Sequence, residues 1–153
     1  ALAHSGAQAE GSDAQRLRQD ANARGLNNVQ FFDEIDPDEI PGLYAQCDFG
    51  LVALDPRHKT HNIPGKFLSY MQAGLPVLAS VNPGNDLVGL IEAEGVGRVS
   101  TSQSVDVLAE QAAKLLDGAE SATDVSKRCK GLSRRLFTPA AAVRQIVSAL
   151  SPR

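Results

Sequence analysis

Pro64-Gly65-Lys66 has the make-up of a helix start that can hold an anion. Proline suits the first helical turn, where its N–H would have had no partner. The N–H groups of Gly65 and Lys66 then stand at the positive end of the helix dipole, where anions bind readily. A cation is mildly unfavourable there, so Lys66 invites an anionic partner; the plainer alternative is a solvated lysine in the first turn. His58 and His61 have His-x-x-His spacing, but no third ligand has helpful spacing and no metal is expected. Cys47 and Cys129 are the only thiols, and two distant cysteines fit a reducing compartment better than a disulfide scaffold. Cys47 reads as a small buried residue without chemistry. Lys127, Arg128, Lys130, Arg134 and Arg135 form the one basic cluster. It reads as a solvated helix face, with contact to anionic lipid head groups as the alternative. The chain has no nucleophile elbow, Cys-x-x-Cys pair, Walker loop or dinucleotide fingerprint.

Alternating strands and helices must position the Gly65-Lys66 tip. Ala1 to His4 reads as the tail of a strand, and Ser12 and Asp13 cap a helix that runs to about Arg24 and stops at Gly25. Val29 to Phe32 is a strand, and Asp36-Pro37-Asp38 opens a helix with Ile40, Leu43 and Tyr44 on one side. A strand follows at Phe49 to Leu54. Next comes a polar loop from Asp55 to Ile63, then the helix that Pro64 opens and Gly74 ends. Pro76 to Ser80 is short and mostly apolar, as a parallel strand covered on both faces should be. Asn82 to Asp86 forms a turn and helix cap, Leu87 to Glu94 a helix, and Gly97 to Ser100 the last strand. Val105 to Leu116 carries Val105, Leu108, Ala112 and Leu115 on one stripe, and two helices follow at about Ala122 to Phe137 and Pro139 to Leu150. The pattern predicts an α/β domain: a Rossmann-like, doubly wound parallel sheet with helices on both faces. Ligands of such sheets bind beyond the carboxyl ends of the strands. That rule selects the loops His4 to Gly11, Asp33 to Asp36, Asp55 to Lys66 and Ser80 to Asp86.

The 153 residues suffice for one domain with a substantial core, and no linker or repeat divides them, so residues 1–153 read as a single domain. At 42% hydrophobic and 22% charged, the composition is that of a globular protein. A formal net charge of −3 argues against a general nucleic-acid or membrane-surface role. No apolar run approaches the roughly 20 residues that span a bilayer. No secretory signal is visible. The expected location is cytoplasmic, peripheral at the inner membrane face. The chain opens on alanine, and the expectation is that the natural protein starts earlier.

Several segments, in order, resemble one family. They are Asp48-Phe49-Gly50-Leu51-Val52, Pro64-x-Lys66, and Tyr70-Met71-x-Ala73-Gly74-x-Pro76-Val77-x-Ala79-Ser80. Asn28-Val29-x-Phe31, Leu43-Tyr44-Ala45, Gly95-x-Gly97 and Phe137-Thr138 agree as well. The set resembles the C-terminal, donor-binding domain of GT-B retaining glycosyltransferases of the glycosyl transferases group 1, or family 4, type. The Pro-x-Lys form is similar to transferases that build bacterial surface polysaccharides.

The resemblance implies two Rossmann-like domains across a cleft. This chain would be the half that binds a nucleoside diphosphate sugar as substrate, without a cofactor. The N-terminal acceptor domain of the same natural chain would be its partner, and the acceptor would be lipid-linked at the inner membrane face. Gly65, Lys66, His61, Asn62 and Ser69 would contact the nucleotide-sugar, with His4, Ser5 and Gly6 bordering the diphosphate or sugar. Asp33, Glu34 and Ile35 would hold the base. Surface-loop readings remain the alternatives for these last two groups. Many family members carry glutamates where this chain has Ser69 and His61, and glycine-x-glycine where it has Gly6-Ala7-Gln8. No residue is assigned a catalytic role. Two other classes remain open: a nucleotide-sugar epimerase on the same architecture, and a non-catalytic nucleotide-binding module.

Overall fold

The computed structural model describes residues 2–3, 12–32, 35–55, 63–118 and 121–150. They fall into two compact units that meet in sequence between Cys47 and Asp48.

The first unit holds β1 (Leu2–Ala3), α1 (Ser12–Ala23), β2 (Val29–Gln30) and α2 (Ile40–Tyr44). β1 and β2 pair in parallel, with Leu2 opposite Val29. The α1 terminus closes through N–H bonds from Gly25 to Asn22 O and from Leu26 to Ala21 O, both at 3.0 Å. Arg18 lies 5.3 Å from the centroid of the Phe31 ring, a cation–π contact. β2 is shorter than the expected Val29 to Phe32. α2 begins later than the Asp36-Pro37-Asp38 signal implied. The Asp36 carboxylate accepts from the Asp38 N–H at 2.9 Å, an Asx turn that competes with helix, and Pro41 then sits in the first helical turn. Cys47 is half-buried rather than buried, and its Sγ–H donates to Leu43 O at 3.4 Å.

The second unit is the larger. It holds β3 (Gly50–Ala53), α3 (Gly65–Ala73), β4 (Val77–Ser80), α4 (Leu87–Glu94), β5 (Gly97–Ser100), α5 (Val105–Leu116), α6 (Ala122–Leu136) and α7 (Pro139–Leu150). β3, β4 and β5 form a parallel sheet in that order, with Gly50 opposite Val77 and Val77 opposite Gly97. Parallel neighbours joined by a helix are βαβ units, so this is a Rossmann-like α/β arrangement flanked by helices. Val77, Leu78 and Ala79 of the central strand are all buried, which requires cover on both faces. α3 packs on β3, α4 on β5, and α5 on β4 and β5. The core gathers Phe67, Met71, Val77, Val81, Leu87, Ile91, Val96, Cys129 and Leu132.

Two details of the second unit's helices also differ from the sequence pattern. The stripe expected on α5 does not include Val105, which is 79% exposed. It lies on the first turn, and the half-buried side runs instead through Val107, Leu108, Gln111, Ala112 and Leu115. The basic cluster is only partly a solvated face. Arg128 Nε donates to Gly95 O at 3.0 Å, and Arg135 pairs with Glu94. Both cations thus close the carboxyl end of α4, where the helix dipole favours positive charge.

Candidate functional site at the start of α3

Each strand of the second unit leads into a helix that starts at the carboxyl edge of the sheet: α3 after β3, α4 after β4, α5 after β5. The three starts differ in chemistry. At α4 the buried Asn85 turns its Oδ1 onto the Leu87 N–H at 3.0 Å, so the chain caps this tip itself. At α5 the first turn carries Asp106, which repels an anion. At α3 the first turn holds no acid, and the residue that precedes it makes no side-chain cap.

Pro64 takes φ −63° and ψ 140°, so it stands just before the helix rather than in its first turn. Its carbonyl accepts from the Phe67 N–H at 3.0 Å and closes that turn. Gly65 is exposed, and a Cβ built there would meet nothing within 4 Å. Among the described residues, open space and uncapped amides coincide at Gly65. Lys66 is half-buried, and its ammonium has no ion-pair partner among the described residues. The hydroxyl of Ser69 donates to Gly65 O, one helical turn back, at 3.2 Å. Its proton is therefore used within the helix, and its oxygen remains able to accept.

Two contacts on the sheet side set the place of α3. A Cβ on Gly50 would lie 2.5 Å from the ring of Tyr70, so glycine alone lets that ring rest on β3. The Tyr70 hydroxyl donates to Leu51 O at 3.5 Å. At the same edge, Asn82 Nδ2 donates to Asp55 O at 3.2 Å and ties the segments that leave β3 and β4. Turn chemistry alone accounts for Asn82 in the sequence, because a bond across 27 residues has no local signature.

Gly65, Lys66 and Ser69 therefore share the first turns of α3. Ile35 is half-buried in the first unit, after β2. His4, Ser5, Gly6, Asp33, Glu34, His61 and Asn62 lie outside the described residues, as does His58. Among the described residues no three His, Cys, Asp or Glu side chains gather as metal ligands would.

A family model described as Glycosyl transferases group 1 matches residues 5–118, well over half of the chain. The chain belongs to the group 1 glycosyltransferases. Membership carries glycosyl transfer as the class of activity, and the matched range contains β3, α3, β4, α4, β5 and α5. No match was found among curated proteins or among solved structures. Among the described residues no helix is long and apolar enough to cross a membrane.

Proposed function

We propose that this group 1 glycosyltransferase chain is the donor-binding, C-terminal domain of a retaining enzyme. In this reading residues 1–153 form one nucleotide-sugar-binding domain. The enzyme transfers a sugar from a nucleoside diphosphate sugar to a bacterial surface-polysaccharide acceptor of lipopolysaccharide, O-antigen or capsule type. The observation that carries the reading is the α3 tip: among the described residues nothing caps the Gly65 and Lys66 amides or fills the space over Gly65, and the turn holds no acid. A diphosphate matches that tip in charge and in its demand for N–H donors.

The role of the tip follows from the bond that breaks. Cleavage of the sugar–phosphate bond leaves negative charge on the departing diphosphate. Fixed N–H donors aimed at that charge stabilise it without having to reorganise during the reaction. The Lys66 ammonium adds a compact positive charge on a flexible stem. Ser69 offers an acceptor oxygen for a donor hydroxyl one turn further along α3. His61, Asn62, His4, Ser5 and Gly6 complete the nucleotide-sugar contacts, and Asp33, Glu34 and Ile35 hold the base. The N-terminal acceptor domain of the natural chain supplies the other side of the cleft. A lipid-linked acceptor places the enzyme at the cytoplasmic face of the inner membrane, and the chemistry needs neither metal nor cofactor.

Thermal melting tests the reading. Uridine or guanosine diphosphate sugars are expected to raise the melting temperature, and Lys66→Ala or Gly65→Leu to abolish the rise. No shift with any nucleotide-sugar contradicts it.

A further inference from the structure

α6 runs antiparallel to α3 and touches it at both ends. Near the α3 terminus, Ser126 and Lys130 sit over Gly74, where an added Cβ would lie 2.6 Å from Lys130 Cε and closer still to Ser126 Oγ. At the α3 start, the Phe137 ring meets the Phe67 ring edge to face, with centroids 6.0 Å apart and planes at 84°. Phe67 is fully buried and closes the first turn of α3 through its N–H bond to Pro64 O. The position of Phe67 therefore sets where the Gly65 and Lys66 amides point.

Phe137 is itself held. Its N–H donates to Ser133 O at 2.9 Å. The next residue, Thr138, donates its hydroxyl to Arg134 O at 3.3 Å and accepts the Ala141 N–H on the same oxygen at 3.2 Å. Thr138 thus closes α6 and caps α7 in one group, which pins the residue before it.

We infer that Phe137, at the end of α6, is a positioning residue for the α3 tip: through Phe67 it sets the two amides that receive the diphosphate. The inference rests on the donor-site reading above. Phe137 touches no reacting atom and acts only through Phe67. The range matched by the family model ends at residue 118, before Phe137.

The test follows the Gly65 and Lys66 amide resonances of the 15N-labelled chain during titration with inorganic pyrophosphate. In the wild type both resonances are expected to move in parallel. Phe137→Leu removes the ring with little change in volume and is expected to weaken the apparent affinity about fivefold, the scale of one lost edge-to-face pair. Resonances of β4 and β5 should stay in place. Phe137→Tyr keeps the ring and is expected to bind as the wild type does. Where Phe137→Leu fails to fold, Phe137→Met takes its place under the same expectation. Unchanged affinity in a folded ring-less variant, with wild-type binding intact, overturns the positioning role alone. Equal losses in Phe137→Leu and Phe137→Tyr also overturn it. Pyrophosphate that moves neither amide in the wild type overturns the donor-site reading and this inference together.

Discussion

Gly74 sets the length of α3 by its backbone. It takes φ +80°, a left-handed conformation that costs other residues about 1 kcal/mol, and an added Cβ would also overlap Ser126 and Lys130. Gly74→Ala is expected to destabilise the protein by about 1–3 kcal/mol, read as a lower urea midpoint with unchanged slope. Cys129 allows a test by pH. Burial raises its thiol from 9.0 to about 11, with nearby Arg128 opposing the shift. Between those values the unfolded chain has released the proton and the folded chain keeps it. Stability from this group is full below pH 9 and falls as pH rises to 11, by at most about 1.4 kcal/mol per pH unit. Cys129→Ala should flatten that decline in urea midpoints measured across the range. An equal slope in both proteins would refute the assignment.

At the scale of elements, the two last helices make a contrast. α6 buries Cys129, Leu132 and Ser133, whereas α7 buries only Ala141. Leu132→Ala should cost about 2–5 kcal/mol, because it empties a fully buried position. Ile146→Gln should change stability by less than about 0.5 kcal/mol, since Ile146 is 59% exposed. Denaturation of the two variants side by side checks both figures. The helices were legible in the sequence where their ends carry strong chemistry. Gly74 and Gly95 stop α3 and α4 as read, and the limits of α5 and the start of α7 agree to the residue. Less legible were ends set by competing polar groups. Asp36 signals a helix but bonds Asp38, so α2 starts at Ile40. Val105 fits a periodic stripe yet lies on the exposed first turn of its helix. Period alone does not say where along a helix the packing begins.

For the whole molecule, the order of strands and helices carried the α/β class and the parallel sheet, because periodicity and turn residues are local signals. The candidate site was legible to the extent that it is local. Pro64, Gly65 and Lys66 announce a helix tip, and the structure leaves its two amides uncapped among the described residues. What makes the tip distinctive was not legible. Tyr70 against Gly50, Phe137 against Phe67, and Asn82 bonded to Asp55 join residues distant in the chain, and each depends on tertiary packing. The fate of the neighbouring tips was equally hidden, since only the fold shows that Asn85 turns back onto α4.

The central claim is that α3 receives a diphosphate on its first-turn amides. A crystal structure of the chain with uridine or guanosine diphosphate tests it most directly. The account predicts phosphate oxygens within about 3 Å of the Gly65 and Lys66 nitrogens, with the Lys66 ammonium turned toward them. A nucleotide bound elsewhere, with those two amides facing only water or protein side chains, would contradict it.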